Sequence, residues 1–431
     1  MRARSVFAVA VCLPLALATL GRVELGAQRG GMFLGSADDP AIKYATAPLS
    51  NAVVELNKKL QAGAVRLSFA GRSGFLQSAL DALGIAVDSQ MLVFSPTSFQ
   101  AKRINPGNPR ALFFNDTVEL GWVRDGDVLE VAVQDAQQGV VFYTLDQKPT
   151  DAPQFQRVTT CLGCHLTRDT LGVPGLLMFS TTPPANSRAY ASGVTTDHRS
   201  PLEERWGGWF VTGTSGKAQH MGNLVPPVEA RPSHQLASVE GLFDADGFRA
   251  PTSDIAALLV LSHQTHMTNL ITRSGWEARA SDPLLHPPFV AAPGEDARVV
   301  AQLRDIATEV VDYLLFIDEE PLSGVAGSSG FTERFSATGP KDSKGRSLHQ
   351  LDLGRRLMRY PCSYMVYSPA FDALPSGAKD AIYRRMWQVL SGEEKGARYA
   401  TALPLADRQA IVEILRETKP GLPAYFQPVT R

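Results

Sequence analysis

The sequence predicts an α+β chain: a β-rich N-terminal meander, a looped middle segment and a mainly helical C-terminal half. Three observations predict it. Between residues 91 and 147, short runs of Val, Leu and Phe alternate with turn-prone pairs. From 148 to 251, glycines and prolines interrupt every period, and from 252 onward apolar residues recur at helical spacing.

Residues 28–48 form a loose lead-in broken by Gly30, Gly31, Gly35 and Pro40. Ser50 is placed to cap a helix running to about Ala62, with Val53, Val54, Leu56 and Leu60 as its buried side. A short helix over 74–83 ends at Gly84. Strands are expected over 91–94, 111–114, 118–123, 128–133 and 140–145, separated by Asn115-Asp116, Arg124-Asp125-Gly126-Asp127 and residues 135–139. Such spacing is that of an antiparallel meander. Within the fourth strand Leu129, Val131 and Val133 face one way, and Val128, Glu130 and Ala132 the other.

The looped segment carries Gly172-Val173-Pro174-Gly175, Pro183-Pro184, Gly207-Gly208 and Pro226-Pro227, with strand-like pieces at 176–180 and 209–212. Loops this long inside a compact protein usually serve function. In the helical half Ser253 is placed to cap a run over 254–273, striped by Ile255, Leu258, Leu259 and Leu261. A second run over 295–318 carries Val299, Leu303, Ile306, Val310, Val311 and Leu314. A Gly/Ser-rich loop at 324–330 precedes helices expected near 351–359, 377–390 and 405–418. No internal repeat is present, so nothing points to a duplicated array. The expected divisions are 1–27, 28–147, 148–251 and 252–431.

The chain has 431 residues and is 44% apolar, enough for a sizeable core. A formal net charge of -1 gives no electrostatic case for nucleic acid or an anionic membrane surface. The first 27 residues have the pattern of a secretory signal: Arg2 and Arg4, an apolar run over 6–20, and a cleavable stretch ending Gly26-Ala27. The alternative is an uncleaved anchor, for which the run is short. Cys12 follows Val11 inside the apolar run, which does not fit lipid attachment. No later stretch is long and apolar enough to span a membrane.

Of the four cysteines, two lie in Cys161-Leu162-Gly163-Cys164-His165. Two thiols at this spacing can each add to a vinyl group on one porphyrin edge, and the following imidazole then sits under the ring to bind iron. Gly163 keeps the short loop between the two attachments unobstructed and tolerates angles a larger residue resists. Two other chemistries use Cys-x-x-Cys, a zinc half-site and a dithiol redox pair. Zinc lacks a second pair, because only Cys12 and Cys362 remain. A redox pair would open a helix in a βαβ context, whereas loop-like residues 148–153 precede this one. Cys362, among Tyr360, Pro361, Tyr364 and Met365, is expected as a buried packing residue, the alternative being a reactive or iron-ligating thiol.

A haem iron has a sixth position, filled by Met or His in electron carriers and often open in enzymes. His220 and Met221 offer both ligand types in one loop, just after Trp206-Gly207-Gly208-Trp209-Phe210, which could pack on a porphyrin face. His263, with His266 three residues on and Met267 beside it, offers a ligand on the long helix. Met178 and His198, the latter next to Asp197, are further candidates. His234, His286 and His349 sit among polar residues and prolines and are expected to be solvated. Asp244-Ala245-Asp246-Gly247 is a fragment of a calcium-loop pattern lacking the later ligands and is expected to be a turn. No phosphate loop, dinucleotide fingerprint or nucleophile elbow occurs.

On residues 161–165, together with the export signal, the sequence resembles c-type cytochromes of the larger, exported, single-haem bacterial kind. Residues 205–212 and 359–371 add a likeness to bacterial proteins with a cytochrome domain. The resemblance implies one covalent haem c held by Cys161 and Cys164, His165 as proximal ligand, a periplasmic or otherwise exported location, and electron transfer between Fe(III) and Fe(II) with redox partner proteins. A haem-dependent oxidoreductase, peroxidase-like or the electron outlet of a dehydrogenase, is the alternative, as is a haem sensor or structural subunit of a periplasmic complex. Small cytochromes place the motif near the start of an all-helical domain, whereas here a β-rich region precedes it. Exported material is expected to begin near residue 28, which N-terminal sequencing or the intact mass of the mature chain reads directly.

Overall fold

Strands that follow one another in sequence pair with one another in space, and this builds the first half of the protein. The computed structural model describes residues 31–181, 193–225, 235–282 and 295–430. The signal segment with Cys12, the pairs Pro183-Pro184 and Pro226-Pro227, and His234 and His286 lie outside the described residues. Residues 32–431 form one unit.

Helices α1 (Ala52–Gln61) and α2 (Leu76–Leu83) come first, then strands β1 (Met91–Val93), β2 (Arg110–Phe114), β3 (Val118–Val123), β4 (Val128–Asp135), β5 (Gly139–Asp146) and β6 (Gln156–Arg157). The middle segment adds a single turn, α3 (Leu162–His165), a two-stranded pair, β7 (Phe179–Ser180) with β8 (Val194–Thr195), and β9 (Trp209–Phe210). The main sheet is antiparallel, in the order β6-β5-β4-β3-β2-β1-β9. The looped segment thus supplies its last strand, where Trp209 lies opposite Val93.

Residues opposite one another in an antiparallel ladder share a face. Phe113, Leu120, Val131 and Tyr143 line up on one face. They join Val53 and Leu56 of α1, Leu76 and Leu80 of α2, Phe33 and Ile42 in a core. Phe114, Glu119, Ala132 and Phe142 line up on the other face, as do Leu112, Gly121, Glu130 and Thr144. Near β1 and β9 this outer face enters the helical core through Met91, Val93 and Trp209. Near β5 it meets a small cluster of Val140, Phe142 and Leu176, against which Cys161 and Leu162 pack.

The helical half contains α4 (Ile255–Ala280), α5 (Glu295–Leu314), α6 (Phe331–Ala337), α7 (Pro369–Asp372), α8 (Ser376–Ser391), α9 (Ala397–Ala402) and α10 (Leu405–Thr418). Almost every residue of α4 is buried, with the sheet on one side and other helices around it. Among the described residues no helix is long and apolar enough to cross a membrane.

Four local expectations are corrected. Asn51, not Ser50, caps α1, its Oδ1 accepting from Val54 N; the Ser50 amide is taken by Asp135. Asp254, not Ser253, caps α4, because the Ser253 hydroxyl bonds Phe210 O and accepts from Leu92 N. No helix forms near 351–359. Leu353 turns back at φ 57°, a bridge joins Leu351 to Met358, and the Asp352 side chain accepts from Gly354 N, closing a reverse turn. The run expected to Asp318 stops at Leu314, because Phe316 and Asp318 take positive φ.

The cap of α4 carries much of the assembly. Asp254 is wholly buried; Oδ1 accepts from Ala256 N, and Oδ2 from Ser328 N, Ser329 N and Ser329 Oγ. It stitches the start of α4 to the loop before α6. Asp254→Ala strips one buried and three half-buried donors of their acceptor, so a loss of roughly 2 kcal/mol or more is expected in denaturant unfolding, against a few tenths for an exposed aspartate.

Candidate functional site

The turn that carries the two thiols begins at Thr159, whose carbonyl accepts from Leu162 N. Cys161 stands at the N-cap of α3 and its carbonyl accepts from both Cys164 N and His165 N. This single turn brings Cys161, Cys164 and His165 together. Both thiols are free; Cys164 is exposed and Cys161 half-buried beside Val140 and Phe142. A Cβ added to Gly163 would meet nothing within 4 Å, so the space over the turn is open. Gly163 sits in an ordinary helical turn, so its conformational freedom, expected to matter here, is not used.

His165 is held by a two-way bond to one residue. Its Nδ1 lies 2.8 Å from Gly175 O, and Gly175 N donates to His165 O at 2.9 Å. A carbonyl only accepts, so Nδ1 carries the proton and Nε2 keeps its lone pair. Nε2 makes no hydrogen bond among the described residues. The ring lies 4.9 Å from that of Phe142 on β5. Burial lowers the pKa of His165, against the pull of the Gly175 carbonyl, and the imidazole is neutral at pH 7. A neutral imidazole whose second nitrogen is anchored to a carbonyl is the usual state of a metal-ligating histidine.

Beside this turn the outer face of the sheet is charged. Arg110 lies flat across Gly121, where an added Cβ would fall 2.5 Å from Nη2. Its guanidinium pairs with Glu130 at 2.6 Å, and Glu130 also accepts from Ser98 Oγ. Glu119, half-buried on the same face with Oε1 shut off from water, is pushed up to about 7 by burial, with Arg110 opposing. Nothing in the linear sequence marked Arg110, Gly121 and Glu130, which meet only through strand register.

The alternatives for the cysteine pair fare differently. Burial pushes the Cys161 thiol up, and the Glu130 charge adds to it, the reverse of an activated dithiol. Among the described residues no three His, Cys, Asp or Glu side chains are arranged to hold a metal ion. Two free thiols on one turn and an imidazole with a free Nε2 do fit a porphyrin attached at two points with one axial ligand.

The candidates for a sixth ligand lie in different surroundings. His220 is half-buried with its ring 5.5 Å from that of Trp206, and its buried Nδ1 has no hydrogen-bond partner among the described residues. Burial lowers it to about 4. Trp206 is fully buried with φ 66°, a strained setting for a bulky residue, and its indole N–H is also unpartnered among the described residues. Met221 Sδ lies 4.0 Å from Ser180 Oγ. His263 has both nitrogens engaged, Nδ1 with His198 Nδ1 and Nε2 with Ser363 Oγ, each at 2.7 Å. His266 Nε2 faces Arg199 at 3.4 Å, and Arg199 is paired with Asp197. Met178 is a core residue. His349, expected to be solvated, is buried against Phe335 and Tyr364, with Nε2 3.2 Å from Asp116; long-range packing buries it. Cys362 is fully buried, and burial pushes its thiol up. Asp244 and Asp246 sit in an exposed turn facing Arg72.

Comparison with family models, with curated proteins and with solved structures finds no match.

The buried histidines set a pH dependence. Burial lowers His263 to about 3 and His266 to about 4, and lowers His198 well below its ordinary 6.5. Below about 6.5 the unfolded chain takes up protons that the fold refuses, so stability falls as pH drops from 6.5 toward 4. Glu119 acts oppositely: its proton is kept in the fold and released by the unfolded chain above 4.5, so its contribution is lost as pH rises toward 7. Glu319, likewise pushed up to about 7 by burial, acts with Glu119, and Glu309 and Asp312 are raised in the same direction. The lowered histidines oppose these carboxyls, and the melting temperature at pH 5 is expected to lie about 2 °C or more below that at pH 7. Glu119→Gln is expected to flatten the neutral side of a calorimetric pH series.

Proposed function

We propose that this chain is an exported c-type cytochrome that carries one covalent haem c and passes electrons to redox partner proteins. Cys161 and Cys164 hold the ring through thioethers, and His165 Nε2 is the proximal ligand. The reading is carried by one observation: a Cys-x-x-Cys-His turn whose histidine is neutral, anchored through Nδ1 to Gly175 O at 2.8 Å and free at Nε2. When bound, the haem supplies one-electron chemistry between Fe(III) and Fe(II). The chain's own part is to fix the imidazole, to shield one edge with Phe142 and Val140, and to set Arg110 and Glu130 beside the site.

His220 leads the candidates for the sixth ligand, because its imidazole is neutral, half-buried and unclaimed at Nδ1 among the described residues, beside a strained backbone; His198 Nε2 is also unclaimed there, but that ring is packed between His263, Tyr313 and Phe316. His263 is disfavoured by its two hydrogen bonds. The second reading, a haem-dependent oxidoreductase, draws on the unpartnered indole of Trp206 and imidazole of His220, polar groups suited to a small ligand.

The test is expression in a bacterial host that matures covalent haem. Denatured, acid–acetone-treated protein is expected to keep one haem per chain, and Cys161→Ser with Cys164→Ser to keep none. Pigment that is wholly extracted from the wild-type chain would sink the reading. His220→Ala is expected to convert a low-spin spectrum to a high-spin one; conversion by Met221→Leu instead would move the ligand to Met221. A wild-type spectrum that is already high-spin and shifts with cyanide or peroxide would favour the oxidoreductase.

A further inference from the structure

We infer that Asn269, on the central helix α4, is the positioning residue for His165. The inference rests on the reading of His165 as an iron ligand, but its geometry stands apart from that reading.

Residues 174–176 lie as a short strip between the sheet and α4, and each is held by a different neighbour. Pro174 O accepts from Val140 N of β5 at 3.0 Å. Gly175 exchanges both its backbone bonds with His165. Leu176 is bracketed by Asn269: Oδ1 accepts from Leu176 N at 2.8 Å, and Nδ2 donates to Leu176 O at 2.8 Å. The strip therefore has two fixed ends, and the Gly175 carbonyl between them has one direction left to it. That direction is the imidazole.

The chemistry of the bracket selects the residue. Engaging one N–H and one C=O of the same residue takes one acceptor and one donor on a short planar group, which an asparagine amide has and an aspartate lacks. Asn269 is buried at 1% exposure, so both bonds form away from water and losing either leaves an unpaired backbone group. The closeness also explains Gly175. A Cβ there would fall 2.2 Å from Asn269 Oδ1, so the amide could not approach any larger residue. Asn269 thus sets the carbonyl, the carbonyl sets the tautomer and plane of His165, and a hydrogen bond at Nδ1 raises the basicity of Nε2.

The experiment uses the full mature chain in two forms. In ¹⁵N-labelled protein made without haem, the ring nitrogens of His165 report the tautomer: protonated Nδ1 and bare Nε2 in the wild type, and a mixture in Asn269→Ala. In haem-loaded protein Asn269→Ala is expected to raise the reduction potential, because a less basic imidazole donates less to ferric iron. Asn269→Asp keeps the acceptor for Leu176 N and loses the donor to Leu176 O; both readings should move the same way by less, and this variant decides the matter if Asn269→Ala does not fold. A folded variant with wild-type ring-nitrogen shifts overturns the inference. A wild-type chain that carries no haem overturns the haem reading alone, since the tautomer measurement still judges the bracket.

Discussion

A helix buried on every side has to find partners for each of its polar groups, and α4 imposes that constraint on the rest of the protein. An amphipathic helix leaves its polar face to water. α4 has no such face: Asp254, Ser262, His263, Gln264, Asn269 and Arg273 all lie in the interior. Ser262 turns back to Leu258 O within the helix, and the others reach different parts of the chain. Gln264 joins Asn115 O in the β3 approach to Tyr364 OH before α7. His263 ties His198 to Ser363, Asn269 holds Leu176, and Arg273 pairs with Glu277 and with Glu309 of α5. An unpaired group at any of these places costs more than an ordinary hydrogen bond contributes, so the arrangement favours one packing over its near neighbours.

The thiol-bearing turn depends on this scaffold although it lies in a looped segment. α3 is a single turn and would not persist alone. It is held from one side by Leu162 and Cys161 against Val140 and Phe142, and from the other through His165 and Gly175. The described parts of the looped segment bond through backbone and side-chain groups to the sheet, to the central helix and to one another. Trp209 and Phe210 complete the main sheet, Thr212 bridges to Leu236 and Asp254, and Asn223 pairs with Val211 in both directions.

The two faces of the sheet divide the labour. The inner face is a hydrocarbon core shared with α1 and α2. The outer face carries Arg110, Glu119 and Glu130 between two apolar ends, a composition that suits neither a core nor open water. Gly121 allows Arg110 to lie flat there, and the charged middle of that face is what the turn of Cys161, Cys164 and His165 overlooks.

The sequence by itself determined what short-range pattern can determine. Short apolar runs between turn residues placed five strands, alternation gave the faces of the fourth, Gly84 ended α2, and Cys161, Cys164 and His165 were legible as one motif because their spacing alone brings them onto one turn. Tertiary structure decided what depends on partners far along the chain. Neither Ser50 nor Ser253 caps a helix: α1 begins one residue later, on Asn51, and Phe210 with Leu92 claims the Ser253 hydroxyl. The burial of His263, His266 and His349 could not be seen either, since a polar residue at helical or loop spacing reads as solvated until a second surface closes over it. Gly175 and Asn269 are 94 positions apart, and only the packing of α4 against residues 174–176 makes them parts of one support. Local spacing fixes which atoms can share a turn; the cost of leaving a buried polar group unpaired fixes which turn meets which helix.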